Sequence, residues 1–167
     1  MKSNDNGVRV NSLGASGSNT DHWAAPTLSD LAASIATLDG DLIMGMLATN
    51  DQSGGTQASV VADNVEDLFE AFETDDPELD LLWLAPPENV RSTPPSVTMA
   101  QYTEEIRKKA VDNNWALLDL QYVFGEDTDN YDKDSGIALL DGTNGHPSTT
   151  GGFAITDAIL RLISPSL

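Results

Sequence analysis

Two histidines occur in the chain. One of them, His146, stands in Asp141-Gly-Thr-Asn-Gly-His146-Pro147-Ser148, just ahead of an amphipathic run to Leu162. Histidine is the side chain whose ordinary pKa lies near neutrality, and a carboxylate beside it fixes its tautomer and supports its cationic form. An Asp–His pair in a Gly-rich loop before a helix is therefore a candidate general-base unit. The competing reading is an ordinary turn with a surface histidine.

Two further stretches hold groups that would complement a base. The small-residue loop from Gly14 to Thr20 offers backbone N–H groups, and Asn50 of Asn50-Asp51 offers a side-chain amide. Both are donors suited to a developing oxyanion. The acidic loop from Glu126 to Asp134 offers oxygen ligands to calcium at Asp127, Asp129, Asp132 and Asp134. Its spacing is not that of the D-x-D-x-D-G loop, so a solvated loop is the plainer reading, and no other cofactor is expected. His22, next to Trp23, fits no catalytic pattern and reads as a surface or packing residue.

These groups need a framework, and composition bounds it. The 167 residues, 40% of them hydrophobic, suit one domain with a real core. The absence of cysteine excludes disulfides, a zinc-thiolate site and a cysteine nucleophile, and leaves the compartment open. No apolar run approaches the roughly 20 residues that span a bilayer. The polar start shows no signal peptide, so a soluble protein is expected. With 27 acidic against 8 basic residues the net charge is −19, which disfavours nucleic acid and anionic membranes as partners. Scattered acid with little lysine is the pattern expected of a protein working in high salt, where self-repulsion is screened.

Along the chain, residues 1–7 read as a frayed start and 8–167 as one domain. Val8-Arg-Val10 alternates like a short strand. Thr27 opens a helix with Asp30 at its third position, and Leu28, Leu31, Ile35 and Leu38 share a face. The apolar run 42–47 reads as a buried parallel strand, followed by Ala48-Thr-Asn50-Asp51 and a Gly-rich loop. A helix over 57–73 buries Val61, Val65, Leu68 and Phe72. A strand over 79–85 leads into a proline-rich extended loop, 86–97. A helix over 98–112 buries Met99, Tyr102, Ile106 and Ala110, then a strand covers 115–120, and the last helix covers 149–163. Trp83 and Trp115 fall in strands and read as core. Strands separated by helices imply a parallel, doubly wound α/β sheet with helices on both faces. In such sheets ligands bind beyond the carboxyl ends of the strands, where the Gly14–Thr20 loop, Asn50-Asp51 and the Asp141–His146 loop all fall.

Together these segments resemble the SGNH (GDSL-type) hydrolases, a family of esterases, lipases and carbohydrate deacetylases on a flavodoxin-like three-layer α/β/α fold. The family's second block resembles 8–23, with Gly17 as the oxyanion glycine. Its third, Gly-x-Asn-Asp, resembles Ala48-Thr49-Asn50-Asp51, with Asn50 as the second oxyanion donor. Its last, Asp-x-x-His-Pro, resembles Asp141 with His146-Pro147, and 102–120 is similar to its penultimate unit. The resemblance implies an ester hydrolase acting on O-acyl groups of a carbohydrate or small ester, with His146 as base and Asp141 as its orienter.

Three departures stand out. Ala48 replaces a glycine, and the Asp–His spacing is two residues longer than usual. No Gly-Asp-Ser block precedes Val8, so the sequence reads as beginning after the family's first, central strand and its nucleophile. Reading Val10-Asn11-Ser12-Leu13 as a degenerate first block makes Ser12 the nucleophile but leaves the second block without residues. Otherwise the serine comes from outside this chain, or activity has been lost. A missing central strand would expose apolar edges, met by a rearranged sheet or by another segment or subunit. The resemblance equally permits a non-enzymatic structural or glycan-recognition protein, such as a viral tail fibre, spike or other virion component.

Overall fold

The computed structural model describes residues 9–25, 28–89, 95–125, 138–141 and 146–164. Its element order is α1 (Thr20–Trp23), α2 (Leu28–Ala36), β1 (Leu42–Gly45), α3 (Thr49–Gly54), α4 (Ala58–Asp75), β2 (Asp80–Ala85), α5 (Met99–Asn113), β3 (Ala116–Asp119), α6 (Leu120–Phe124) and α7 (Thr149–Ile163).

The three strands form one parallel sheet in the order β1-β2-β3. Trp83 lies opposite Gly45 on one side and Leu117 on the other. Central β2 has apolar residues on both faces because helices cover both, and side-chain alternation sorts them. Leu81, Trp83 and Ala85 join the core under α2, α4 and α5; Leu82 and Leu84 join the one under α6 and α7. The expected doubly wound α/β arrangement is thus present.

The larger core rests on the α4 face of Val61, Val65, Leu68 and Phe72, to which Phe69 adds. Phe69 sets its ring edge-on to both Trp83 and Trp115, with centroids 5.8 and 5.0 Å apart. Such pairs contribute about 0.5–1.5 kcal/mol each beyond their buried area. Helix α5 buries Met99, Tyr102, Ile106 and Ala110 at helical spacing. It starts at a capping box of Thr98 and Gln101 and ends at Asn114 in the left-handed region. Lys109 reaches across to Asp63 and Glu66 and so joins α5 to α4.

Several expectations are corrected. Arg9 and Val10 are exposed and belong to no strand; the Arg9 guanidinium donates to the Leu38 carbonyl instead. The strand expected over 42–47 stops at Gly45, and the one over 115–120 ends at Asp119, whose carboxylate caps α6 by accepting from the Gln121 N–H. The loop expected after Asn50-Asp51 is instead α3. Thr27 lies outside the described residues, as do 1–8 and the acidic loop with Asp127, Asp129, Asp132 and Asp134.

Among the described residues β1 pairs only with β2, and none of them pairs with its other edge. Met44 and Met46 are nearly half exposed beside that edge. Helix α7 is likewise incompletely covered: Ile155 and Ile159 pack inward, while Phe153, at 70% exposure, and Ile163 face out. No helix among the described residues is long and apolar enough to cross a membrane.

Candidate active site

Two local constructions carry the candidate site residues, and no hydrogen bond among the described residues joins one to the other. The first begins where the chain leaves β1. Ala48, 1% exposed, adopts φ +91°, a left-handed conformation that turns the chain directly into α3. L residues rarely take it, because Cβ crowds the carbonyl. A glycine would take it without strain, so the Ala48 departure falls where a side chain costs most.

Immediately after the turn, Asn50 donates its amide to the Ser18 carbonyl at 2.7 Å. This bond fixes which end of the amide faces the Gly17 loop and leaves one N–H of that NH2 group for another acceptor. The loop itself is a turn over Ala15 to Ser18, with Gly17 at φ +76°. The Ser18 hydroxyl donates to the Ala15 carbonyl and accepts from the Trp23 indole, both at 2.8 Å.

Asp51 locks the loop to α3. Its side chain is fully buried, and its carboxylate accepts from the Thr20 N–H at 3.1 Å and from the Thr20 hydroxyl at 2.6 Å. The same hydroxyl accepts from Asn64 on α4 at 3.1 Å, so its orientation is determined from both sides. Buried polar groups need such partners, since an unsatisfied one costs about 1–3 kcal/mol. Asn19 caps α1 by accepting from the His22 N–H, and its own N–H donates to His22 Nδ1. His22 is therefore the third residue of a capping box, with its proton on Nε2 when the ring is neutral.

The second construction carries His146. Leu140 and Pro147 form an antiparallel bridge, with the Asp141 N–H donating to the His146 carbonyl and the Ser148 N–H to the Leu139 carbonyl, both at 2.8 Å. Ser148 caps α7 by accepting from the Gly151 N–H and donates to the Ala138 carbonyl at 2.7 Å. Gly151 makes this packing possible: a Cβ there would stand 2.1 Å from the Leu139 carbonyl oxygen. The Leu140–Pro147 bridge is thus pressed onto the first turn of α7.

Asp141 and His146 therefore meet through their backbones. Both are exposed, and no hydrogen bond or ion pair joins their side chains among the described residues. Asn50 and the Gly17 loop meet through Ser18. Ser12 lies in exposed coil and makes no hydrogen bond among the described residues. The sequence places Thr20 and Asp51 in this region but not their contact, and it gives no place there to Asn64. One signal was available: Asn64 shares the face of Val61, Val65 and Leu68, and a polar residue on an apolar stripe asks for a buried partner.

Comparison with known proteins accords with this architecture. Residues 2–152 match the family described as GDSL-like Lipase/Acylhydrolase. No curated protein matches. An acetyl xylan esterase structure superposes with a TM-score of 0.69 at 16% identity, covering 90% of this chain and 79% of the other. A catalytic mutant of an acetylxylan esterase from Geobacillus stearothermophilus gives 0.66 at 19%, covering 89% and 69%. A salicylyl-acyltransferase from a tetracycline biosynthetic pathway gives 0.62 at 19%, covering 82% of this chain. The chain spans only 41% of that acyltransferase. With residues 2–152 matched and the parallel α/β/α fold shared with these structures, the chain belongs to the GDSL-like lipase/acylhydrolase family.

Proposed function

We propose that the chain supplies the oxyanion donors and the base of an ester hydrolase acting on O-acyl groups of a carbohydrate or other small ester. The observation that supports this most is the Asn50–Ser18 hydrogen bond braced by Asp51–Thr20, which holds an amide donor against the Gly17 loop. In the reaction a serine hydroxyl attacks the ester carbonyl as His146 takes its proton. The carbonyl oxygen becomes an oxyanion accepting from the free Asn50 amide N–H and the Gly17 N–H. Collapse expels the alcohol, which receives the proton from His146, and water repeats the cycle on the acyl-serine. Asp141 orients His146 once its side chain turns onto the imidazole. The serine is Ser12, or one carried by a strand that another segment or chain adds to the other edge of β1.

A non-enzymatic reading on the same fold, a glycan-recognition or structural part of a virion, draws support from two observations. Among the described residues no hydrogen bond or ion pair joins the Asp141 carboxylate to His146, and Ser12 stands in exposed coil with no hydrogen bond among them. Treatment with a fluorophosphonate followed by peptide mapping separates the readings. A label on Ser12 that is lost in His146→Ala assigns a working nucleophile to this chain. No label, alone or with added chains, favours the non-enzymatic reading.

A further inference from the structure

Beside the oxyanion region lies a cleft of about 450 Å³ outside the carboxyl ends of β2 and β3. We infer that this cleft is a subsite for a neutral pyranose unit, the sugar body of the substrate; this rests on the ester-hydrolase reading for why a sugar would lie there. Its walls come from the loop after β2 (Glu88), the start of α5 (Thr98, Glu104, Arg107), the end of β3 (Asp119) and α6 (Tyr122).

Three properties select the ligand. Tyr122, a residue of the lining, is 81% exposed, although aromatic residues usually bury most of their surface. Its apolar face suits the C–H face of a sugar ring, and its hydroxyl can bond sugar oxygens. Both donors and acceptors line the walls. Arg107 bridges to Asp119 at 2.9 Å and lies 3.8 Å from Glu104, and a guanidinium carries five N–H donors, more than these two partners take up. The Gln121 amide is fixed by the Thr103 hydroxyl at 3.1 Å. Vicinal hydroxyls, each both donor and acceptor, match such a wall. Finally, three acidic residues line the cleft with one arginine, a charge balance that disfavours anionic sugars.

The cleft is also tied to the oxyanion region. Glu88 accepts from the Gln52 amide at 2.7 Å, and Gln52 stands two residues after Asn50 on α3. Glu88 also accepts from the Met99 N–H at 2.8 Å and so secures the first turn of α5. An ester whose acyl carbonyl meets Asn50 can therefore lay its sugar across Glu88 toward Tyr122.

Isothermal titration of the full chain with xylotetraose, with a galacturonate tetramer as charged control, tests the subsite. Saturable millimolar binding of xylotetraose is expected, weakened about tenfold in Tyr122→Ala and also in Glu104→Gln. Both side chains are exposed, so the variants should fold. Absence of saturable binding, unchanged affinity in both variants, or tighter binding of the galacturonate would overturn the proposal. His146→Ala separates the two readings, since it should keep xylotetraose affinity while losing ester turnover. If it keeps turnover while binding still depends on Tyr122, the hydrolase reading fails and the subsite stands.

Discussion

The fully buried Asp51 carboxylate accepts both the N–H and the hydroxyl of Thr20, residues 31 positions apart in the chain. This relationship joins the loop containing Gly17 to the helix containing Asn50. Asp51→Ala leaves two buried donors without an acceptor and should cost about 2–4 kcal/mol. Asp51→Asn, which keeps one acceptor oxygen, should cost less. Urea denaturation of the two variants measures the difference, and equal stability of all three chains would remove the brace from the account.

Ala48 tests the turn into α3. Its left-handed backbone costs roughly 1–2 kcal/mol in an L residue, whereas glycine brings an unfolded-state entropy cost of about 0.4–1 kcal/mol. Ala48→Gly should therefore raise stability by up to about 1 kcal/mol, and Ala48→Val should lower it, as read by thermal unfolding.

Adjacent glycines on α7 should respond in opposite directions. Gly151→Ala drives a methyl into the Leu139 carbonyl, a rigid backbone group, and should cost about 1–3 kcal/mol while displacing the Leu140–Pro147 bridge next to His146. At Gly152 a Cβ meets nothing within 4 Å, so Gly152→Ala should stabilise the helix by about 0.5–1 kcal/mol. Thermal melts give the energies, and the His146 imidazole NMR resonances report the displacement.

Acid should weaken the join between α4 and α5. A hydrogen bond from Lys109 is the main cause holding the Glu66 carboxyl below its ordinary value, against an opposing effect of burial. A depressed carboxyl contributes stability above its unfolded pKa of about 4.3 and loses it as pH falls through the folded value. Lys109→Met should cost about 0.5–1 kcal/mol near neutral pH and flatten the acid limb of the stability profile. A profile superimposable on that of the parent chain would contradict the assignment.

Salt should stabilise the chain. Its −19 net charge is carried on the surface by acids such as Asp21, Asp67, Glu70 and Asp157. Raising KCl from about 0.1 M to 1 M shortens the Debye length from ~10 to ~3 Å and should raise the melting temperature by several degrees. A flat response would argue against adaptation to high salt.

Periodicity made the parallel sheet, its two helical layers and α7 legible in the sequence, because the apolar stripes of α4 and α5 and the run of β2 are long. Short elements escaped it. Helix α3 has no capping side chain and ends in Gly54-Gly55, so it resembled a loop, and α1 starts at a capping box completed by His22 rather than Glu or Gln. Val10 offered alternation, but Arg9 and Val10 take no strand partner. In the site, residue types named Asn50, Asp141 and His146, whereas Thr20 and Asn64 depend on side chains meeting across distant segments, which spacing does not encode.

As proposed above, His146 serves as the general base for an ester whose oxyanion is met by Asn50 and Gly17. The most direct test of this role is turnover of p-nitrophenyl acetate in high salt by the pure chain and by His146→Ala. Removing the imidazole should lower kcat/KM by about 10²-fold or more. Equal rates in the two proteins would contradict it.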